Sequence, residues 1–569
     1  MKTAPIKTGR KLFDFSQYDF GGGINIQDSP QKLADNDLSQ AVNVYLSTEG
    51  DVLSRRGVNL TGASFPANTP AGSRGIYRFY QEIAGGAIST FRQTIQQVGS
   101  TLYDQTTGYV IGSVGQLGVG ALPMSCERIF DPSHNGGTDI LVICVGSSGG
   151  PFAYDGTTLY NLDATPTTVT GARWCKLLNN ILWFAGLPGQ PNLVAASGIG
   201  QPESTPAYNT FALSTPVTGL GTLGIGLQAA LVVGLVSGIA LLSGFTPVSF
   251  IEQDIPMNDG VIGGRAMITV DGILYFIGNF AIYRYDGNSF QEISRKVRPW
   301  ILNDPTEIDY PMNGDRMQSW AMYWNRRIYF WYISNPTNSG NTKLNTALVW
   351  DLDRQGWTIY SSAIGFGAGC LINAPGDPTP EVFVMVDQTT GNTYNFDVYL
   401  VGESSFNATD NGQSISSTWL SKFFKIGDPG SEKRVLRILM EVFFYQFNGA
   451  VQIVTDYGQT TLVQEIPLAY NANAEWDSSS WDQFDWASIG AGYSKTRIDV
   501  NIQAEAFAFG IVCPNPNPPP TPIQTQTGMD ILTEQGAEID TETPSPGNLP
   551  YGTYRCMGFT GRYSQMPKN

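Results

Sequence analysis

The chain carries one histidine, so any chemistry that depends on imidazole must pass through His134. It sits in Asp131-Pro132-Ser133-His134-Asn135-Gly136-Gly137, a run of turn-forming residues. A hydrolytic triad needs a nucleophile and an orienting group around that ring, and a histidine metal site needs further ligands at fixed spacing. The flanking residues offer neither, so His134 reads as a surface-loop side chain. Paired carboxylates are the next candidates, because glycosidases work with two, and Asp351 with Asp353 and Asp482 with Asp485 have suitable spacing. Strand alternation would put Asp351 and Asp353 on one face, yet Arg354-Gln355-Gly356-Trp357 follows as a turn and a packed aromatic, which makes the pair a turn device. Gly21-Gly22-Gly23 and Gly260-Val261-Ile262-Gly263-Gly264-Arg265 lack the Lys-Ser/Thr of a phosphate loop and read as turns. The acidic turns lack the twelve-residue ligand spacing of a calcium loop. These residues predict no enzyme, no cofactor and no metal site.

Composition narrows the class further. With 33 Lys and Arg against 49 Asp and Glu, the formal charge is −16. Tight binding to nucleic acid needs cations that displace counterions from phosphate, so an acidic chain is the wrong sign for it. The same sign suits a surface past which DNA moves without sticking. Charged residues are only 14% of the chain, while 64 Gly and 34 Pro make turns frequent and long helices improbable. Six cysteines, Cys126, Cys144, Cys175, Cys370, Cys513 and Cys556, are widely scattered with no C-x-x-C and no secretory signal before them, which predicts buried thiols in a reducing cytoplasm. The uncharged stretch between Glu203 and Glu252 is long enough to span a bilayer. Gly224, Gly226, Gly234, Gly238 and Gly244 cut it into strand-length pieces, so buried strands are expected and no membrane insertion.

The elements that must hold these residues announce themselves through a recurring cadence: an apolar run, a turn, another apolar run, then an aromatic residue, Asp and Gly. Tyr154-Asp155-Gly156 and Tyr285-Asp286-Gly287 are the clearest copies, with looser ones at Leu102-Tyr103-Asp104 and Val349-Trp350-Asp351. The Asp can cap a tight turn while Gly takes positive φ. Strand signals recur at Ile76–Tyr80, Ile88–Val98, Ile140–Val145, Ile181–Ala185, Leu227–Val233, Ile273–Ile277, Ile328–Ile333 and Val382–Val386, many of them at roughly the 40–50-residue period of a four-stranded blade. The expectation is an all-β chain: a β-propeller of six or seven blades over residues 66–405, preceded by a short N-terminal arm and segment, 1–65. Within that segment Asp35-Asn36-Asp37 stands where a helix cap would, ahead of an apolar-periodic piece, and predicts one brief helix over Leu38–Val44.

Beyond residue 406 the strands lengthen. Ser414–Phe424, Arg434–Phe447 and Lys495–Phe509 alternate over long runs, and Tyr551–Tyr563 reads as a closing strand, so 406–569 is expected to be a β-sandwich. A proline-rich projecting loop interrupts it at 513–550. Trp476, Trp481 and Trp486 cluster in one loop and could stack on sugar rings, which offers a carbohydrate-binding reading. Lys2, Lys7, Arg10 and Lys11 make the N-terminal arm basic and a candidate contact for a partner.

Three pieces carry a family resemblance. Phe20-Gly21-Gly22-Gly23-Ile24-Asn25, Leu33-Ala34-Asp35-Asn36-Asp37, Ala41-Val42-Asn43-Val44 and Gly50-Asp51-Val52-Leu53-Ser54-Arg55-Arg56-Gly57 form the first; Gly272 to Gly287 with Ile293-Ser294 is the second; Tyr554 to Tyr563 is the third. Together they resemble the propeller-bearing tail nozzle, or packaged-DNA stabilisation protein, of short-tailed bacteriophages. The resemblance implies a structural virion protein made in the host bacterial cytoplasm and built into the tail. It implies a homohexamer beneath the tail adaptor, in contact with portal-proximal proteins and tail fibres, through whose lumen DNA passes without sequence-specific binding. The alternative is a receptor- or carbohydrate-binding tail protein.

Overall fold

The computed structural model describes residues 12–565, except 62–72, 84–86, 106, 112–116, 118–121, 135, 148, 163–164, 167–168, 227–228, 247–248, 256, 302–317, 334–342, 373–381, 397–408, 426–432, 446–449, 457–459, 466–491 and 514–552. The chain is all-β and divides into two units: 1–58 with 351–360 and 397–569, and 59–350 with 361–396.

The second unit is a β-propeller with seven blades among the described residues. Each blade begins on an innermost strand: Ser73–Ile83, Ser125–Asp131, Trp174–Leu178, Val217–Leu223, Met267–Val270, Trp320–Trp324 and Phe366–Leu371. Antiparallel hairpins carry each sheet outward. The fifth blade runs Met267–Val270, Ile273–Ile277, Ile282–Tyr285, Phe290–Glu292. Its first hairpin closes on Asp271 (φ 51°) and Gly272 (φ 79°), and the third blade's on Asn179 (φ 53°) and Asn180 (φ 59°). Two consecutive positive φ values match the right-handed twist of the flanking strands, which is why Asn, Asp and Gly stand there.

A four-stranded sheet buries neither face alone, so neighbouring blades share their cores. Phe79 and Ile95 of the first blade interleave with Leu141 and Ile143 of the second, and Trp183 and Val194 of the third with Leu231 and Val233 of the fourth. Each fully buried aliphatic or Phe side chain contributes about 1.5–3 kcal/mol. The ring closes where Ile76 of the first blade packs with Ala368 and Val384 of the seventh. An early strand, Val58–Thr61, lies beside Thr393–Phe396 as an outer strand of the seventh blade, and the Thr393 hydroxyl donates to the carbonyl of Thr61. The uncharged stretch between Glu203 and Glu252 forms most of the fourth blade, with strands Val217–Leu223, Ala230–Leu235 and Gly238–Ser243. No helix among the described residues is long and apolar enough to cross a membrane.

The first unit is a β-sandwich built from both ends of the chain. In one sheet Lys433–Tyr445 pairs along its length with Gly492–Ala504 and with Thr553–Gln565, and Thr553–Gln565 pairs in turn with Leu12–Gln17. In the other, Asp37–Val42, Ser417–Ser421, Phe507–Cys513 and Ala450–Thr455 lie side by side. Ile438, Met440 and Val442 alternate into the core. Phe15 bridges the sheets, with ring centroids 5.2 Å from Phe424 and Phe507 and 5.6 Å from Phe509.

One expectation fails here. Leu38–Val44 holds no helix: Asp37–Val42 and Val44–Leu46 are strands. The Asp37 carboxylate accepts from the Asn25 amide (2.8 Å) and the Ala34 N–H (3.3 Å), so it caps the turn ahead of a strand. Pairing with Ser417–Ser421 then outweighs local helix preference.

Candidate functional site

The repeated Tyr-Asp-Gly turns have one structure. Tyr154 Oη donates to the Gly156 carbonyl at 2.8 Å and Tyr285 Oη to that of Gly287 at 2.9 Å. Asp155 Oδ1 accepts the N–H groups of Thr157 and Thr158 at 2.8 and 2.7 Å, and Asp286 Oδ1 those of Asn288 and Ser289, both at 2.9 Å. Gly156 and Gly287 have φ of 94° and 99°, a region closed to most side chains. Asp351 does the same work, its Oδ1 accepting the N–H of Asp353 and of Arg354 at 3.0 Å. In all three, Oδ1 of the carboxylate is engaged in holding its own turn.

His134 differs from its expected place on an open loop. Its side chain is 22% exposed, Nε2 lies 3.1 Å from Asp155 Oδ2, and its ring stacks on Tyr160 with centroids 4.7 Å apart. Burial disfavours the Asp155 charge, but hydrogen bonds from Thr158, His134 and Thr157 outweigh it and hold this carboxyl well below the usual range. The imidazole therefore fastens a blade turn. Cys126, Cys144, Cys175, Cys370 and Cys556 are free thiols. Burial pushes Cys126 and Cys144 far up and Cys370 to about 12, which keeps them protonated and unreactive. Lys2, Lys7, Arg10 and Lys11, the cluster Trp476, Trp481 and Trp486, and Asp482 with Asp485 lie outside the described residues.

Among the described residues, one concavity with chemical character lies inside the propeller, where innermost strands converge. A cavity of about 190 Å³ is lined by Ile76 and Tyr77 of the first blade, Met124 and Cys126 of the second, Arg265 ahead of the fifth and Trp320 of the sixth, with glycine and alanine positions filling the rest. Crowding explains the small residues: a Cβ on Gly75 would stand 2.4 Å from Met124 Cγ. The Trp320 indole donates to the Phe366 carbonyl at 2.9 Å and stacks on Trp331, which fixes one wall. Arg265 lies in a single 3-10 turn, Gly264–Ala266, and donates through Nη2 to the Gly367 carbonyl. Burial, and then the positive charge of Arg173, pull its pKa down to about 10. No carboxylate is among the described lining residues. Burial, reinforced by Glu127, pushes the Tyr77 phenol far up, so it stays neutral and able to donate.

Sequence reading took Gly260–Arg265 as a plain turn and missed this site. A usable signal was present: Arg173 and Arg265 both stand just ahead of the first strand of a blade, at nearly the same phase of the repeat.

No protein-family model matches the chain, and no curated protein does. Solved structures do align. The propeller of Dos1 matches at 10% identity over 59% of this chain and 95% of its own, with a TM-score of 0.33. BBS1N, from its complex with ARL6DN, matches at 12% identity over 50% and 94%, with a TM-score of 0.27. The designed Ika4 protein matches at 15% identity over 31% and 98%, with a TM-score of 0.21. At these scores the likenesses carry no argument, and the propeller assignment rests on the strand pairing of the chain itself.

Proposed function

We propose that this chain is a structural subunit of the tail nozzle of a short-tailed bacteriophage, which retains packaged DNA and conducts it during ejection. The observation that carries the reading is the structural work done by the residues of the sequence resemblance. Phe20 is fully buried, its ring 5.0 Å from that of Trp419. Gly23 takes φ 65° where a Cβ would stand 2.5 Å from the Trp357 nitrogen. Asp37 caps the turn that leads into its strand, and Arg55 is buried in an ion pair with Asp410. A likeness made of such residues is a likeness of architecture, because Phe20, Gly23 and Arg55 lock the N-terminal segment into the sandwich and Asp37 fixes a turn within that segment.

Two physical properties agree with it. A wall that holds DNA under pressure is well served by sheets with long strand pairings, as along Lys433–Tyr445, which pairs on both sides with only local register shifts. A net charge of −16 repels a polyanion passing through a lumen, and cyclic repetition multiplies that field. Six copies below the tail adaptor, in contact with portal-proximal proteins and tail fibres, complete the proposal.

The test is retention of the genome. Particles assembled without this chain are expected to lose packaged DNA to added nuclease, with complementation restoring protection. Particles that lack the chain yet keep a nuclease-resistant genome would overturn the reading.

A further inference from the structure

Arg265 has five N–H donors and one acceptor, the Gly367 carbonyl, among the described residues. Arg265 lines a cavity of about 190 Å³, large enough for a compact anion and its first contacts. A second cation, Arg173, acts on the same guanidinium and adds to its positive potential. Arg173 is itself held by stacking, its guanidinium carbon 4.7 Å from the Trp174 ring. A half-buried guanidinium under the influence of another cation, with no carboxylate among the described lining residues, favours a counter-anion in the cavity. The planar fork of arginine suits the paired oxygens of a carboxylate or phosphate. Tyr77 adds a neutral phenol to the same lining, and Trp320 adds an apolar wall.

We propose that the cavity inside the propeller is an oxyanion site in which Arg265 binds a small carboxylate or phosphate beside the Tyr77 phenol. The anion neutralises the guanidinium at the point where the first, second, fifth, sixth and seventh blades meet, and so ties the ring together. The site is independent of the tail reading and would operate in any protein built on this propeller.

Thermal unfolding at pH 7 and constant ionic strength tests it, with sodium phosphate or sodium acetate replacing sodium chloride. The wild-type Tm is expected to rise by about 3 °C or more in at least one oxyanion relative to chloride, since a ligand that binds only the folded state stabilises it. A larger shift in phosphate assigns a tetrahedral oxyanion, and a larger shift in acetate assigns a carboxylate. Arg265→Met should abolish the difference. Calorimetric titration of the wild type and of Arg265→Lys with the better anion gives a second arm, in which losing the fork should weaken binding at least tenfold. Equal wild-type Tm in chloride and both oxyanions overturns the proposal, as does a full shift in Arg265→Met or unchanged affinity in Arg265→Lys.

Discussion

Arg55 and Asp410 form a two-pronged ion pair across 355 residues of sequence, with Nη1–Oδ1 at 2.8 Å and Nη2–Oδ2 at 2.6 Å and side chains only 1% and 4% exposed. Asn43 Oδ1 accepts from Nε at 2.8 Å, and the guanidinium lies over the Tyr360 ring, 4.0 Å from its centroid. Burial works against the charge, but Asp410 and Tyr360 outweigh it and hold the arginine firmly protonated. Removing one partner of such a pair leaves the other buried and uncompensated, which costs about 3–5 kcal/mol. Arg55→Ala should therefore lower the chemical-unfolding midpoint of the sandwich sharply. Arg55→Lys should recover only part of the loss, because an ammonium cannot reproduce the fork.

A pH prediction follows from Asp155. Its carboxyl is held below the ordinary aspartate value of about 3.9, so its ionised form contributes stability that is complete above that value and lost as pH falls through the folded one. Asp155→Asn should cost about 1.5–3 kcal/mol at neutral pH, the range for hydrogen bonds to a charged group. Measured by unfolding, the gap from wild type should hold steady from pH 7 to about pH 4 and begin to narrow only below it, where the unfolded carboxyl protonates while the folded one stays ionised. A gap that persists or widens below that pH would contradict the assignment.

The tyrosine of the repeated turn is a measurable unit. Tyr285→Phe deletes the bond to the Gly287 carbonyl and leaves the ring, 4.4 Å from Phe290, in place. A loss of about 0.5–1.5 kcal/mol is expected. Tyr154→Phe should cost a similar amount, since its single hydroxyl proton is shared between the Gly156 carbonyl and Gln93 Oε1, each 2.8 Å away. Hydrogen exchange of the fifth blade, compared between wild type and Tyr285→Phe, should localise the change there.

Gly23→Ala tests the N-terminal segment. The new Cβ meets backbone at 2.5 Å and sits at φ 65°, so neither rotamer change nor a small shift relieves it. The substitution should cost more than about 1 kcal/mol through the positive φ alone, with the overlap added.

The blades were legible because their signals are local. Strand alternation and paired residues such as Asp271-Gly272 and Asn179-Asn180 act within a few positions, and the caps of Asp155 and Asp286 lie two and three residues away. The helix expected over Leu38–Val44 went wrong because an Asp before spaced apolar residues serves a helix cap or a strand turn equally well. The deciding partner, Ser417–Ser421, lies hundreds of residues downstream. Distance also hid the Arg55–Asp410 pair, and the cavity around Arg265 exists only once five blades converge. His134 gave a correct turn but no hint of Asp155 and Tyr160, whose approach depends on how the second blade folds back.

Electron cryomicroscopy of the intact particle, with the chain located by its propeller and sandwich densities, tests the central claim most directly. The account predicts six copies arranged around an open axial channel directly below the tail adaptor. A single copy, or copies confined to peripheral fibres with no channel between them, would contradict it.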